Sequence, residues 1–274
     1  MGLTRRAALK GVLATTVGAV TGAAVYGVGY ERHHLGLTEA TLEVSELPAA
    51  LDGLRIGFLT DIHHSAMVPA DDVVAAVALT LSTKPDLIVL GGDYVTWGDR
   101  DYVGPVADLL KPLHAANGVF AILGNHDDDR DMAAALSRNR FVVLKDQLTR
   151  IVVRGEPIDL IGIRFWTRRP ADIARIARRA GETTILLAHD PRRLTEAAAL
   201  DIPAVLSGHT HGGQVVLPGI GALARRNFPV IAGLARQANT SMFVSRGVGT
   251  VYVPIRINCP PEVAVVTLRQ RSDI

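Results

Sequence analysis

Short apolar runs alternate with helical patterns along most of the chain. Five runs have the length and composition of buried strands, and they span residues 54–60, 87–90, 119–123, 184–188 and 204–207. Three stretches between them carry apolar residues at helical spacing, over 70–82, 102–116 and 171–180. This alternation predicts an α/β protein.

The first thirty residues follow a different pattern. Arg5, Arg6 and Lys10 precede a run without any charge, residues 11–30. A basic start before an uncharged run is typical of a secretion signal, and paired arginines after Thr4 indicate the twin-arginine kind. As a helix, the run would span roughly 30 Å, which suffices for a membrane anchor. Cleavage remains open, and a buried core helix is the alternative.

Composition narrows the class of protein. The chain has 274 residues, 48% of them hydrophobic, so it can bury a sizeable core. Its 29 basic and 27 acidic residues give a net charge of +2, which gives no indication of nucleic-acid binding. The single cysteine, Cys259, excludes an intramolecular disulfide and a thiolate-rich metal site. Cys259 stands beside prolines without an evident basic partner in the sequence, so we expect it to be structural rather than reactive.

Each of the five apolar runs is followed by residues that can bind a metal. The motifs are D-I-H, G-G-D, G-N-H-D, a single histidine and G-H-T-H, in that order. Ligands of α/β sheets bind outside the carboxyl ends of the strands, so these five ends can converge on one site. The candidate ligands are Asp61, His63, Asp93, Asn125, His189, His209 and His211.

The residue types select the chemistry of this site. Carboxylates, imidazoles and an amide oxygen, without thiolates, suit borderline-hard divalent ions such as Mn, Fe, Zn or Co. Seven ligands exceed the needs of one tetrahedral ion and match two ions that share a bridging group. Asp93 follows a middle run and is the candidate for the bridge. An isolated Asp or His at a strand end is more often a cap, but seven in this arrangement favour the metal site.

The ordered motifs resemble those of the calcineurin-like metallophosphoesterase family. The similarity runs from Leu54 to about Leu268, and residues 245–250 (SRGVGT) and 254–262 (PIRINCPPE) resemble the closing segments of one bacterial branch. That branch is membrane-anchored or exported by the twin-arginine route. The resemblance implies two mixed β-sheets packed as a sandwich and flanked by helices. We divide the chain into a twin-arginine signal or anchor (1–30), a linker and lead-in (31–53) and the metallophosphoesterase domain (54–274).

The resemblance also implies an activity and its residues. It predicts hydrolysis of a phosphodiester or pyrophosphate by a hydroxide held between two divalent ions, with Mn, Zn or Fe as the expected metals. His126 would stabilise the phosphoryl oxygens and protonate the leaving oxygen, and Asp127 would orient the His126 ring. The first ion is assigned to Asp61, His63 and His211, the second to Asn125, His189 and His209, and the bridge to Asp93.

Substrate and location are expectations of the same kind. Some relatives cleave the pyrophosphate of nucleotide-linked diacyl sugars, which favours an envelope substrate that is lipid-linked or nucleotide-linked. Those relatives act in the cytoplasm, whereas a twin-arginine signal predicts an extracytoplasmic domain that is held at the membrane or secreted. Expected partners are the phosphoester substrate, the membrane and the twin-arginine export machinery, but no nucleic acid.

Several alternatives stay open at this point. A non-catalytic, metal-binding interaction module on the same fold is the alternative function. Residues 217–238 could form an acyl-chain groove with Arg225 and Arg226 near a phosphate, or a loop packed on the core. His64 could contact substrate, although an exposed neighbour of His63 is the expected role.

Overall fold

A computed structural model describes residues 4–222 and 227–271 of the chain. The helices are α1 (Arg5–Gly29), α2 (Ala70–Ser82), α3 (Val103–Leu110), α4 (Asp131–Arg138), α5 (Pro170–Ala177) and α6 (Leu194–Ala199). The first seven strands are β1 (Gly36–Val44), β2 (Arg55–Leu59), β3 (Leu87–Leu90), β4 (Val119–Ala121), β5 (Val142–Val143), β6 (Gln147–Val153) and β7 (Glu156–Ile163). The others are β8 (Thr184–Ala188), β9 (Ala204–Ser207), β10 (Val216–Leu217), β11 (Gly221–Ala222), β12 (Gly233–Gln237), β13 (Thr240–Val244) and β14 (Glu262–Gln270).

Two six-stranded mixed sheets form the centre of the fold. The first has the order β1-β14-β2-β3-β4-β5, and its one antiparallel pair is β14 with β2. The second has the order β12-β13-β9-β8-β7-β6, with an antiparallel pair at each edge. Their central strands are apolar and buried along almost their whole length, as expected for parallel strands covered on both faces.

The sheets pack face to face, and helices cover their outer faces. Phe58, Leu187 and Phe243 belong to the core between the sheets. Helices α2, α3 and α4 pack on the first sheet, and α5 and α6 pack on the second, each through an apolar face. The predicted sandwich of two mixed sheets flanked by helices is confirmed.

Several predicted elements have the predicted bounds. Strands β3, β8 and β9 and helix α2 begin and end where the apolar pattern places them. The helix expected over 102–116 instead ends at Leu110, because Pro112 has no N–H to donate to the Asp108 carbonyl one turn earlier.

Helix α1 extends from this domain with its apolar side chains exposed. Leu13, Val17 and Val20 are each more than half exposed. Thr15 and Thr16 turn their hydroxyls back onto helix carbonyls, which pairs these polar groups within the helix. Among the described residues, α1 is the one helix long and apolar enough to cross a membrane. Its length of about 37 Å exceeds the hydrocarbon thickness of a bilayer.

Residues 31–53, expected to be a linker and lead-in, are part of the folded domain. Strand β1 pairs in parallel with β14, from Gly36 opposite Glu262 to Val44 opposite Gln270. Glu31 is buried and its Oε1 accepts a hydrogen bond from the Cys259 N–H at 2.6 Å. The apolar-run criterion misses β1 because this edge strand alternates exposed positions with half-buried or buried ones.

Candidate metal centre

The carboxyl ends of β2, β3, β4, β8 and β9 meet at one edge of the two sheets. The turns that follow these strands carry all seven candidate ligands. The two sheets thus bring together side chains as far apart in sequence as Asp61 and His211, 150 residues. The predicted convergence of the strand ends is what the structure shows.

Asp61, His63 and His211 form the first cluster, in which one donor atom from each residue lies within 4.8 Å of the others. His63 Nε2 lies 3.1 Å from His211 Nε2, and His211 Nε2 lies 3.4 Å from Asp61 Oδ1. All three side chains are buried. Their nitrogen and oxygen atoms face one another, which is the arrangement of a cation site.

Asp93, His189 and His209 form the second cluster under the same 4.8 Å limit. His189 Nδ1 donates to the Gly91 carbonyl at 2.7 Å, which leaves Nε2 facing the cluster. Asp93 Oδ2 lies 3.0 Å from His189 Nε2 and 3.5 Å from His63 Nε2. The Asp93 carboxylate therefore reaches both clusters.

The donor set fits divalent metal ions, because some of its buried atoms have no protein partner. Among the described residues, nothing offers hydrogen-bond geometry to Asn125 Oδ1. The charged groups that face His189 Nε2 are the Asp93 and Asp61 carboxylates, at 3.0 and 3.9 Å, and these are candidate ligands themselves. Unpaired buried polar atoms cost free energy unless a ligand satisfies them. Oxygen and imidazole donors without thiolate are ligands of borderline-hard divalent cations.

Burial and mutual charge set the protonation of these side chains. Desolvation lowers the pKa of His63 to about 3 and that of His209 to about 4, so both rings are neutral. Burial also acts to lower the pKa of His189, but the charges of Asp93 and Asp61 outweigh it and raise this pKa to about 10. Burial acts to raise the pKa of Asp93, and the His189 charge reverses this and keeps it below its usual value. A cation beside Asp93 would replace the proton on His189.

The backbone of the site is strained. Five of the seven residues have positive φ, a region that side chains rarely adopt: Asp61, His63, Asp93, His209 and His211. Such conformations persist where the surroundings hold them, and they concentrate at functional sites. Gly124 and Gly208 allow the close approach, since a Cβ at either position would clash with the carboxylate of Asp93 or Asp61 respectively.

His126 lies at the edge of the first cluster, with its ring centroid 4.9 Å from that of His63. The prediction that Asp127 orients the His126 ring is wrong. Asp127 Oδ2 accepts the N–H groups of Asp93 and Gly124, and its Oδ1 accepts that of Tyr94. The ring is instead held by the Trp97 N–H, which donates to His126 Nδ1 at 2.9 Å. The family resemblance implied the Asp127 contact, but the turn at Gly124 points the Asp127 carboxylate to the neighbouring strand end.

The sequence patterns did not reveal the role of Arg256, which is fully buried. Its guanidinium donates to the carbonyls of Gly247 and Gly249 at 3.2 and 2.5 Å. The Gly249 N–H donates to the Asp61 carbonyl at 2.7 Å, so Arg256 holds the 246–249 loop against a candidate ligand. Burial lowers the pKa of Arg256. The sequence marked Arg256 only as part of the PIRINCPPE segment, which resembles a closing segment of the family, and it gave no indication of the contacts of this side chain.

Other residues from the sequence patterns lie around this centre. His64 is buried rather than exposed, because its Nδ1 donates to the Val68 carbonyl in the 65–68 turn and the Tyr102 ring packs against it at 5.1 Å. Cys259 is buried and its thiol donates to the His211 carbonyl at 3.2 Å. Arg225 and Arg226 lie outside the described residues, and the segment before them forms the β10–β11 hairpin.

Comparison with known proteins places this centre in a family. A family model described as calcineurin-like phosphoesterase matches residues 54–213. "Uncharacterized metallophosphoesterase YkuE" of Bacillus subtilis (strain 168) is 30% identical over 283 residues, which cover 98% of this chain and 99% of that protein. "Phosphodiesterase YaeI" of Escherichia coli (strain K12) is 33% identical over 229 residues, 78% of this chain and 82% of that one.

A longer relative has a transmembrane designation. "Transmembrane protein with metallophosphoesterase domain" of Danio rerio is 29% identical over 280 residues, 94% of this chain and 62% of that protein. The family model covers more than half of the chain, and all seven candidate ligands lie within it. The chain belongs to the calcineurin-like phosphoesterase family and is a hydrolase of phosphoric ester bonds.

Proposed function

We propose that this enzyme hydrolyses phosphodiester or pyrophosphate bonds with two divalent metal ions. The observation that carries the proposal is the position of the Asp93 carboxylate, within 3.5 Å of imidazole nitrogens from both clusters. A bridging carboxylate between two cation sites is the arrangement used for in-line displacement at phosphorus. The name of the similar YaeI protein supports a diester rather than a monoester.

The proposed ligands follow the two clusters. Asp61, His63 and His211 would hold one ion, His189 and His209 would hold the other, and Asp93 would serve both. Asn125 joins the second set, which its unpaired buried Oδ1 supports. Mn, Zn or Fe suit these donors. When bound, two such ions neutralise phosphoryl charge and lower the pKa of a water molecule.

His126 supplies the proton in this proposal. Because the Trp97 N–H donates to Nδ1, the neutral imidazole carries its proton on Nε2. A phosphoryl oxygen can accept a hydrogen bond from Nε2, and the leaving-group oxygen takes the Nε2 proton as its bond to phosphorus breaks. Asp127 is a positioning residue, since its carboxylate joins the turns that carry Asp93 and Asn125.

Hydrolysis by the detergent-solubilised full chain tests this function. We expect metal-free protein to cleave bis-p-nitrophenyl phosphate faster than p-nitrophenyl phosphate once Mn, Zn or Fe is restored. The Asp93→Asn variant should be inactive, and the exposed control Asp108→Asn should retain activity. Equal activity of the Asp93→Asn variant and the parent protein would contradict the proposed centre.

We also propose that α1 anchors the domain on the extracytoplasmic side of the membrane after twin-arginine export. Arg5, Arg6 and Lys10 precede the apolar span, and basic residues favour the cytoplasmic side. A membrane position makes a lipid-linked envelope phosphoester the favoured substrate. Protease added to spheroplasts should digest the domain of the parent protein. It should spare the domain when Arg5→Lys and Arg6→Lys are combined, and digestion of both would contradict twin-arginine export.

A further inference from the structure

Exposed aromatic side chains border the His126 side of the candidate metal centre. The Trp97 ring lies 4.8 Å from that of His126 and 5.3 Å from that of Tyr252. Trp97 is 69% exposed, Tyr252 65% and Val253 50%. Both aromatic residues also have positive φ, which bulky residues rarely adopt. Large apolar groups that protrude into solvent at the mouth of a site indicate contact with an apolar partner.

Two contacts attach this rim to the end of α1. The Arg256 N–H, four residues after Tyr252, donates to the Gly27 carbonyl at 3.2 Å. The contact is close, since a Cβ at Gly27 would lie 2.6 Å from the Arg256 carbonyl oxygen. Independently, Arg32 donates to the Met67 carbonyl at 2.9 Å, and Met67 and Trp97 line the same cavity of about 480 Å³.

The last turn of α1 has the features of a membrane–water boundary. The apolar stretch ends there, and Tyr26 and Tyr30 are about half exposed, with ring centroids 5.3 Å apart. Tyrosine and tryptophan concentrate at the headgroup level of bilayers, where the ring is apolar and its polar tip stays hydrated. The rim is therefore fixed to the part of the chain that lies at this level when α1 crosses the membrane.

We propose that Trp97, Tyr252 and Val253 form a membrane-contacting rim, which inserts into the headgroup layer of the bilayer that α1 crosses. The rim holds the mouth of the metal centre against the membrane surface, where phosphoesters of lipid headgroups are within reach. This inference rests on the proposed membrane insertion of α1 and is independent of the metal chemistry.

The chain provides a matched control for this rim. It has two tryptophans, and Trp166 is 61% exposed, close to the exposure of Trp97. Trp166 lies on the other side of the centre, because its neighbour Phe165 contacts the His209 ring at 5.1 Å. The Arg168 guanidinium lies over the Trp166 ring at 5.2 Å. Trp166 therefore lies on the His209 side of the centre with a cation over its ring, whereas the rim lies on the His126 side.

The test uses the full chain in liposomes of phosphatidylcholine and phosphatidylglycerol with bromine-labelled or unlabelled acyl chains. Trp166→Phe leaves Trp97 as the sole tryptophan, and Trp97→Phe leaves Trp166. We expect bromolipids to quench Trp97 emission several-fold more than Trp166 emission, with a blue shift of Trp97 alone. Equal quenching of the two tryptophans, or none of Trp97, would overturn the rim.

A cysteine label provides a second measurement if a tryptophan variant fails to fold. Cys259 is buried, so an environment-sensitive dye on Tyr252→Cys reports that position alone. Val152→Cys is the control, since Val152 is 66% exposed in β6, near the opposite end of the sheets. We expect a blue shift on reconstitution at position 252 only, and its absence would refute the rim.

Flotation with liposomes separates the two proposals. Failure of the chain to float would refute both the anchor and the rim, whereas flotation without quenching of Trp97 would refute the rim alone.

Discussion

Acidic residues at the two ends of the central sheets differ in their burial and in the groups that contact them. At the amino ends of the strands, Asp86 is partly exposed and pairs with Arg154 at 3.1 Å. At the carboxyl ends, Asp61 and Asp93 are at most 1% exposed, and the ionisable groups within 4 Å of them in the described part of the chain are imidazoles. The first arrangement contributes a little stability, whereas the second carries the cost of burying charge.

Backbone conformation sharpens the contrast. Five candidate ligands have positive φ, and such strain costs of order 1–3 kcal/mol for each residue. Buried charge and backbone strain raise the free energy of the metal-free site. A ligand that binds there and lowers this free energy explains why they persist at one end of a stable fold. Substitutions at the two ends should therefore differ in kind, changing activity at the carboxyl ends and stability at the amino ends.

The largest effect is expected from Asp93→Asn. Removal of the shared carboxylate should lower turnover by about 10³-fold or more, since charge stabilisation at phosphorus depends on both ions. The metal-free variant should unfold within a few degrees of the metal-free parent, because loss of the pairing with His189 is offset by relief of the repulsion that Asp93 exerts on Asp61 and Asp127. Steady-state kinetics and thermal unfolding in chelator measure the two effects. A variant that loses both stability and activity would contradict the proposed difference between the two ends of the sheets.

His126→Gln should lower kcat by about 10²–10⁴-fold, the usual contribution of a general acid. Both ions should stay bound, because His126 is outside the two clusters. Metal content by mass spectrometry separates this result from ligand loss. The exposed His114→Gln is the control and should leave kcat unchanged.

Arg256→Leu should lower the free energy of unfolding by about 3 kcal/mol or more, since several buried carbonyls lose their donor. Urea unfolding measures the loss. Arg256→Lys should recover part of it, because a lysine still donates to carbonyls. An unchanged unfolding midpoint would show that the 246–249 loop is held by other contacts.

Asp127→Asn should reduce metal affinity or activity by about 10–100-fold, as for other residues that orient ligands. An asparagine keeps one acceptor oxygen, but its NH₂ group faces an N–H that the carboxylate had accepted. Metal titration of the variant measures the change. Asp128→Asn, whose carboxylate caps α4, is the neighbouring control with unchanged affinity expected.

The smallest effect is expected at the amino ends of the strands. Arg154→Ala should change the free energy of unfolding by about 0–1 kcal/mol, because exposed ion pairs are screened by water and salt. Its kcat should equal that of the parent protein. A marked loss of activity would mean that the two ends are coupled.

The sequence predicted the parts of the molecule that depend on local pattern. Buried parallel strands are continuous apolar runs, so β3, β8 and β9 could be located to the residue. The ligand motifs directly follow such runs. Because the carboxyl ends of parallel strands lie at the same edge of a sheet, the positions of the motifs sufficed to predict that they meet there. Strand β1 was missed because an edge strand lacks an apolar run.

Contacts between distant turns could not be predicted in the same way. The Trp97 N–H on His126, and the Arg256 guanidinium under the 246–249 loop, depend on how loops from different strands meet. The Asp127 contact was wrong for the same reason. Adjacent residues in a tight turn point in different directions, which spacing along the chain does not specify.

The central claim is that one active site holds two metal ions, with the Asp93 carboxylate between them as a shared ligand. The most direct test adds Mn to metal-free full-length protein and follows bound metal and bis-p-nitrophenyl phosphate hydrolysis in the same sample. The account predicts that activity rises until two ions are bound per chain and then levels off. Full activity with one bound ion, or two bound ions without hydrolysis of the diester, would contradict it.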